Sequence, residues 1–153
     1  MKFDPISLNN SIIYDAMALC LNLQDTERVK RIRGITPWKA FLREYCTVEI
    51  SLPRQTGHTT NGIDNMITWC EHPVVIVPNT KLLKHVKDIH RKLTNNTKGS
   101  PKFVFGLAGS VPIGPNTDGI MIDLSSFVSK PKLDKIYDSI PTTNKTFIIL
   151  KLQ

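Results

Sequence analysis

The chain has 153 residues, 41% hydrophobic and 22% charged, enough to bury one core and too apolar for extensive disorder. Its formal net charge of +7 biases it toward polyanions, nucleic acid first, or toward an acidic protein. No apolar run nears the roughly 20 residues that cross a bilayer, and "MKFDPISLNN" has no signal core, so a cytoplasmic location and no membrane contact are expected.

Cys20, Cys46 and Cys70 lie about 25 residues apart with no C-x-x-C, which reads as reduced structural thiols. His85 and His90 are spaced i, i+5, off a common helix face, and no permanent metal is expected.

Along the chain, apolar residues near helical spacing predict a helix over 10 to 23, followed by the basic stretch "RVKRIRG". "TPWKAFLREY" offers Thr36 as N-cap and Pro37 at the first helical position, predicting a helix over 37 to 45. "CTVEISL" alternates and is β-branched, a strand over 46 to 52, and the next helix runs from 58 to about 70. "PVVIV" reads as a strand over 73 to 77 covered on both faces, and "TKLLKHVKDIHRKL" as an amphipathic helix with a basic outer face. Further strands are expected at about 102 to 106, 119 to 123 and 146 to 151, with a short helix in "KPKLDKIYDSI". This alternation predicts a three-layer α/β domain with a mainly parallel sheet of about five strands. Residues 1 to 34, a helix and a basic segment, are expected to pack on the domain formed by 35 to 153, giving one domain in all.

In such a sheet, ligands bind beyond the carboxyl ends of the strands. Three features fall there: the turn Pro53-Arg54-Gln55-Thr56-Gly57-His58-Thr59, the Pro78-Asn79 pair, and Asp123 at the end of "IMID". A turn opening onto a helix N-terminus collects unpaired N–H groups and partial positive charge, a cradle for phosphate. Hydroxyls of Thr59 and Thr60 could reach a magnesium ion, and Asp123 could hold its hydration shell. An ordinary strand-to-helix turn, a capping Asp123 and a surface-paired Arg54 are the alternative readings of the same residues.

The residues resemble the P-loop ATPase domain of the large terminase subunit of tailed bacteriophages, within the helicase-like P-loop NTPases. "LPRQTGHTT" is similar to that family's phosphate loop, with Arg54, Gln55, Gly57, Thr59 and Thr60 in register, and with Thr56 and His58 these are the candidate phosphate-binding residues. "ITPWKAFLREY" sits where the family has its adenine-contacting segment, "VVIVPNTKLLKHV" resembles its second strand and following helix, "DGIMIDLSS" the strand with the magnesium-associated aspartate, and "NKTFIILKL" the strand with the coupling motif. The resemblance runs from about 35 to 153 and implies a P-loop fold, a possible ATP and Mg²⁺ site, and residence in a host cell if the gene belongs to a phage. Three departures remove chemistry: His58 stands in the place of the lysine, Leu124 in the place of the catalytic glutamate, and Lys39 in the place of an adenine-reading glutamine. No segment resembles the family's nuclease domain, so the expectation is a truncated, degenerate relative.

Lysine brings a permanent charge on a long stem, whereas an imidazole is shorter and ordinarily half-charged only near pH 6.5. Leucine cannot position an attacking water, help worth about 10²- to 10⁴-fold from a general base. The expected function is therefore a hydrolysis-deficient, phage-type P-loop-like binding protein. Arg28, Lys30, Arg31, Arg33, Lys84, Lys87 and Arg91 are its candidate nucleic-acid contacts, and Trp38 is either a packed residue or a stacking platform. Two other readings stand beside it. One is an active small ATPase in which Asp118 or Glu71 replaces the glutamate. The other is an interaction or inhibitor protein acting on a terminase, a helicase or a host nucleoprotein. The oligomeric state cannot be read from these motifs.

Overall fold

A computed structural model describes residues 4–52, 57–95, 101–110 and 113–153. Five short strands, β1 (Thr47–Ile50), β2 (Pro73–Val77), β3 (Val104–Leu107), β4 (Gly119–Ile122) and β5 (Ile148–Leu152), form one sheet of order β1-β5-β4-β2-β3. Every pairing is parallel, so each connection must cross over a face of the sheet. Six α-helices are seen among the described residues: α1 (Pro5–Gln24), α2 (Glu27–Ile35), α3 (Trp38–Phe41), α4 (His58–Trp69), α5 (Thr80–Thr94) and α6 (Lys130–Asp138).

The period-2 alternation of side chains splits the strands between two cores. Val74, Ile76, Ile120, Ile122 and Ile149 pack with Phe41, Leu42, Ile136 and Tyr137 on one face. Val75, Val77, Met121, Ile148, Leu150 and Leu152 meet Ile13 and Met17 of α1, Ile63 and Met66 of α4 and Val86 of α5 on the other. All five residues of β2 are buried, which is why it reads as a continuous apolar run rather than as an alternating one. The three-layer α/β expectation with a parallel five-stranded sheet is what the structure shows.

Several local expectations are corrected. The first helix begins five residues earlier than predicted, at Pro5. The basic stretch after it is itself helical as α2, with Thr26 capping through its hydroxyl, which accepts from the Val29 N–H at 3.4 Å. Thr36 ends α2 instead of starting the next helix, and Pro37 takes the N-cap without a side-chain bond. The predicted helix over 37 to 45 is α-helical only to Phe41 and then widens to a π turn over Leu42–Cys46. The Thr47 hydroxyl closes that turn by donating to the Leu42 carbonyl at 2.9 Å. β1 ends at Ile50, two residues short of the predicted limit, and β3 begins at Val104, two residues late.

Gln24 ties the end of α1 to the sheet. Its amide donates to the carbonyls of Phe147 at 2.8 Å and Tyr45 at 3.2 Å, and its carbonyl accepts from the Phe147 N–H at 3.0 Å. Gly62 lets α4 lie close to the strands, because a Cβ there would stand 2.6 Å from Leu152 Cδ1 and 2.9 Å from Met121 Cε. No helix among the described residues is long and apolar enough to cross a membrane.

Candidate functional site

Three of the predicted phosphate-loop residues, Arg54, Gln55 and Thr56, lie outside the described residues, as does Pro53. The loop's end is defined. Gly57 has φ 70°, ψ 25°, the left-handed conformation that glycine adopts without a Cβ clash, and serves as N-cap of α4 with no side-chain bond. Its carbonyl accepts from the Asn61 N–H at 2.9 Å, so the helix starts directly at His58, and His58, Thr59 and Thr60 occupy its first turn.

α4 runs from the β1 side over β5 and β4, so its N-terminus meets the end of β4 although β5 separates β1 from β4 in the sheet. Asp123 follows β4 directly, its N–H still bonded to the Ile76 carbonyl at 2.9 Å, and is only 1% exposed. The Thr59 hydroxyl donates to the Asp123 carboxylate, at 3.1 Å from Oδ2 and 3.3 Å from Oδ1. His58 Nε2 stands 3.8 Å from Asp123 Oδ1, buried and without a hydrogen-bond partner. Thr60 is partly buried and, at 3.6 residues per turn, points about 100° away from Thr59.

Burial pushes the Asp123 carboxyl above its ordinary range, since an ionised carboxylate is poorly solvated there. The Thr59 hydroxyl, His58, the Leu124 N–H and His85 all pull the other way without cancelling it. His85, exposed on α5, is the smallest of these influences. Leu124, a departure in the sequence, is also strained in the structure. It is the non-glycine residue with positive φ among the described residues, at φ 48°, ψ 50°, and its N–H donates to Asp123 Oδ1 at 3.1 Å. Next to it Ser125 is buried with its hydroxyl unpartnered.

No cluster of three or more His, Cys, Asp or Glu fit to hold a metal is found among the described residues. Thr59 and Asp123 supply one hydroxyl and one carboxylate, a donor set that fits a magnesium ion whose remaining ligands are water and phosphate oxygens.

The other predicted residues are placed elsewhere. Asn79 caps α5, its side-chain oxygen accepting from the Leu82 N–H at 3.0 Å. Lys39 pairs with Asp138 at 2.8 Å. Trp38 is packed: its indole N–H donates to the Ile140 carbonyl at 3.0 Å, and its ring lies 5.9 Å from Phe41. Asp118 and Glu71, the suggested substitute carboxylates, are at the amino edge. Asp118 accepts from the N–H groups of Glu71 at 2.7 Å and His72 at 2.8 Å. The four residues of β4 separate Asp118 from Asp123, five steps or about 17 Å along the strand, so neither carboxylate reaches Asp123.

The basic candidates divide. Arg33 is committed to the fold: its guanidinium lies 5.1 Å over Trp38 and donates to the carbonyls of Thr143 and, at 2.9 Å, Lys145. Lys30 and Arg33 line an amino-edge cleft of about 910 Å³, on the far side of the sheet from Asp123. Its mixed walls, with Asp25, Glu71 and Asp118 beside those cations, suit a polyanion poorly, so its size does not make it the functional site. Arg28 and Arg31 are exposed on α2. Lys84, Lys87 and Arg91 are exposed on α5, beside shallow clefts of about 470 and 350 Å³, with Arg91 held 3.3 Å from Asp88.

No protein-family model matches the chain, and neither does any curated protein. It is similar to the solved large-terminase ATPase domain of Thermus phage P74-26, at 11% identity over 82% of this chain and 68% of that one, with a TM-score of 0.38. An arginine-to-alanine variant of that domain is similar at 13% identity over 84% and 69% of the two chains, with a TM-score of 0.35.

Proposed function

We propose that this chain is a P-loop-like binding module that engages nucleic acid through α5 and does not turn over ATP. The observation that carries the reading is what surrounds Asp123. The residue after it is an apolar Leu124 in a left-handed conformation, and the helix that meets it opens with His58. The residue after Asp123 therefore offers no carboxylate to position a water, and the first residue of α4 offers an imidazole where a lysine would bring a permanent charge. Thr59 and Asp123 remain in contact and, with the open N-terminus of α4, keep the elements of a phosphate and magnesium site. When bound, magnesium would neutralise phosphate charge. The chain's own part is to orient the ion through Thr59 and Asp123.

Nucleic-acid binding draws its support from α5. Lys84, Lys87 and Arg91 recur at i, i+3, i+7, within about 60° of one face, in a chain of net charge +7. Phosphate contacts by these three release counterions. Fluorescence anisotropy with labelled duplex DNA should give log affinity falling linearly with log salt, and Lys84→Ala, Lys87→Ala and Arg91→Ala together should flatten the slope by about 2 to 3 units. No binding at low salt, or an unchanged slope, rejects the nucleic-acid role and leaves the row of cations to an acidic protein partner.

A further inference from the structure

α1 has two apolar stripes. The inner one, Ile13 and Met17, is in the core. The outer one faces water: Leu8 is 51% exposed, Ile12 42%, Leu19 61% and Leu23 47%. At 3.6 residues per turn these four side chains fall within about 60° of arc, a straight seam down the helix rather than scattered surface leucines.

The seam is symmetric about the point between Asp15 and Ala16. Positions 8 and 23 are equidistant from it, and so are 12 and 19. A second copy rotated by 180° about that point lays Leu8 against Leu23 and Ile12 against Leu19, twice, with the small Ala16 near the axis where the two backbones come closest. Self-complementarity of this kind is what a twofold interface requires.

Charge permits the same occupant, with Asp15 the one like-charge contact near the axis. α1 has no lysine or arginine over its 20 residues, and Asp15 is its one charged side chain, although the whole chain is +7. Two copies therefore meet here without opposing their cationic faces, whereas a polyanion finds nothing to bind. The antiparallel arrangement also brings Asp4 of one copy level with the α1–α2 junction of the other, where Arg28 is exposed.

We infer that α1 is a homodimerisation helix that pairs antiparallel with α1 of a second copy through Leu8, Ile12, Leu19 and Leu23. The footprint, a helix about 30 Å long by about 10 Å wide, is about 300 Å² on each copy. That is below the roughly 800 Å² per partner of a standard stable interface, so the dimer is weak and concentration-dependent. It is independent of whether the Asp123 site binds anything.

Sedimentation equilibrium from about 1 to 500 µM tests it. The expected apparent mass climbs from 17.3 kDa toward twice that value. Leu19→Glu, at a water-facing position, holds the mass at one chain with the circular dichroism unchanged, and Asp15→Asn moves the transition to lower concentration by removing like charge beside the axis. Cysteine cross-linking reads the register, because the three native thiols are buried. Leu8→Cys mixed with Leu23→Cys should form a disulfide-linked pair that neither gives alone, and Ala16→Cys should link to itself. A single-chain mass at every concentration overturns the inference, as does a dimer that survives Leu19→Glu. Leu8→Cys linking mainly to itself would overturn the antiparallel register.

Discussion

Asp123 sets burial against charge in one residue. Burial raises its pKa above that of the unfolded chain, so the folded state holds the proton more tightly. The stability this contributes is complete below the unfolded pKa of about 4 and is lost as pH rises through the folded pKa. Asp123→Asn should therefore be more stable than the parent at pH 7, with the two converging as pH falls below about 4, measured by urea unfolding at each pH. Parallel curves would mean that the carboxylate is not strained by burial. Leu124 makes a second case. An L-residue in the left-handed region costs about 1–2 kcal/mol, and asparagine tolerates that region better, so Leu124→Asn should raise stability by about 0.5–1 kcal/mol in the same assay, less any apolar contact it loses. Thr59, His58 and Asp123 were legible from the loop-like turn and the apolar strand ending in aspartate. The strain at Leu124 was not, because a φ angle leaves no local pattern.

At the scale of elements, hydrophobic periodicity found the five strands to within two residues at each end, and failed where apolar residues were few. α2 has only Val29 buried, so its cations hid its helical character, while the signal that would have found it, the Thr26-Glu27 cap pair, was overlooked. Pro37 misled in the opposite way. Its fixed φ suits an N-cap as well as a first helical position, so the start of α3 moved by one residue. Gln24 was invisible as a structural residue, since a glutamine at a helix end usually faces water. Here it satisfies both the N–H and the carbonyl of Phe147 at the entry to β5. Gln24→Leu fills similar space but leaves those two buried groups unpaired, and should cost about 2–4 kcal/mol in chemical denaturation. A loss under about 1 kcal/mol would show that water replaces the amide there.

Across the whole molecule, the parallel sheet gathers chemistry-bearing residues at its carboxyl edge and leaves the cations distributed over α2 and α5. The order β1-β5-β4-β2-β3 could not be read from the sequence, because strand order is decided by which crossover packs where, but its consequence could: the first turn of α4 and the end of β4 meet. The amino edge and its larger cleft hold Asp118 and Glu71 away from that meeting point, so neither of these two carboxylates reaches Asp123. The function proposed above keeps the Thr59–Asp123 pair without hydrolytic chemistry. The measurement that bears on it most directly is steady-state release of inorganic phosphate from ATP with excess magnesium. The expected result is no release above that of His58→Ala for the parent chain, and none for His58→Lys or Leu124→Glu made singly, because each restores one of two missing functions. Clear magnesium-dependent release by the parent chain, abolished by Asp123→Ala, would contradict it.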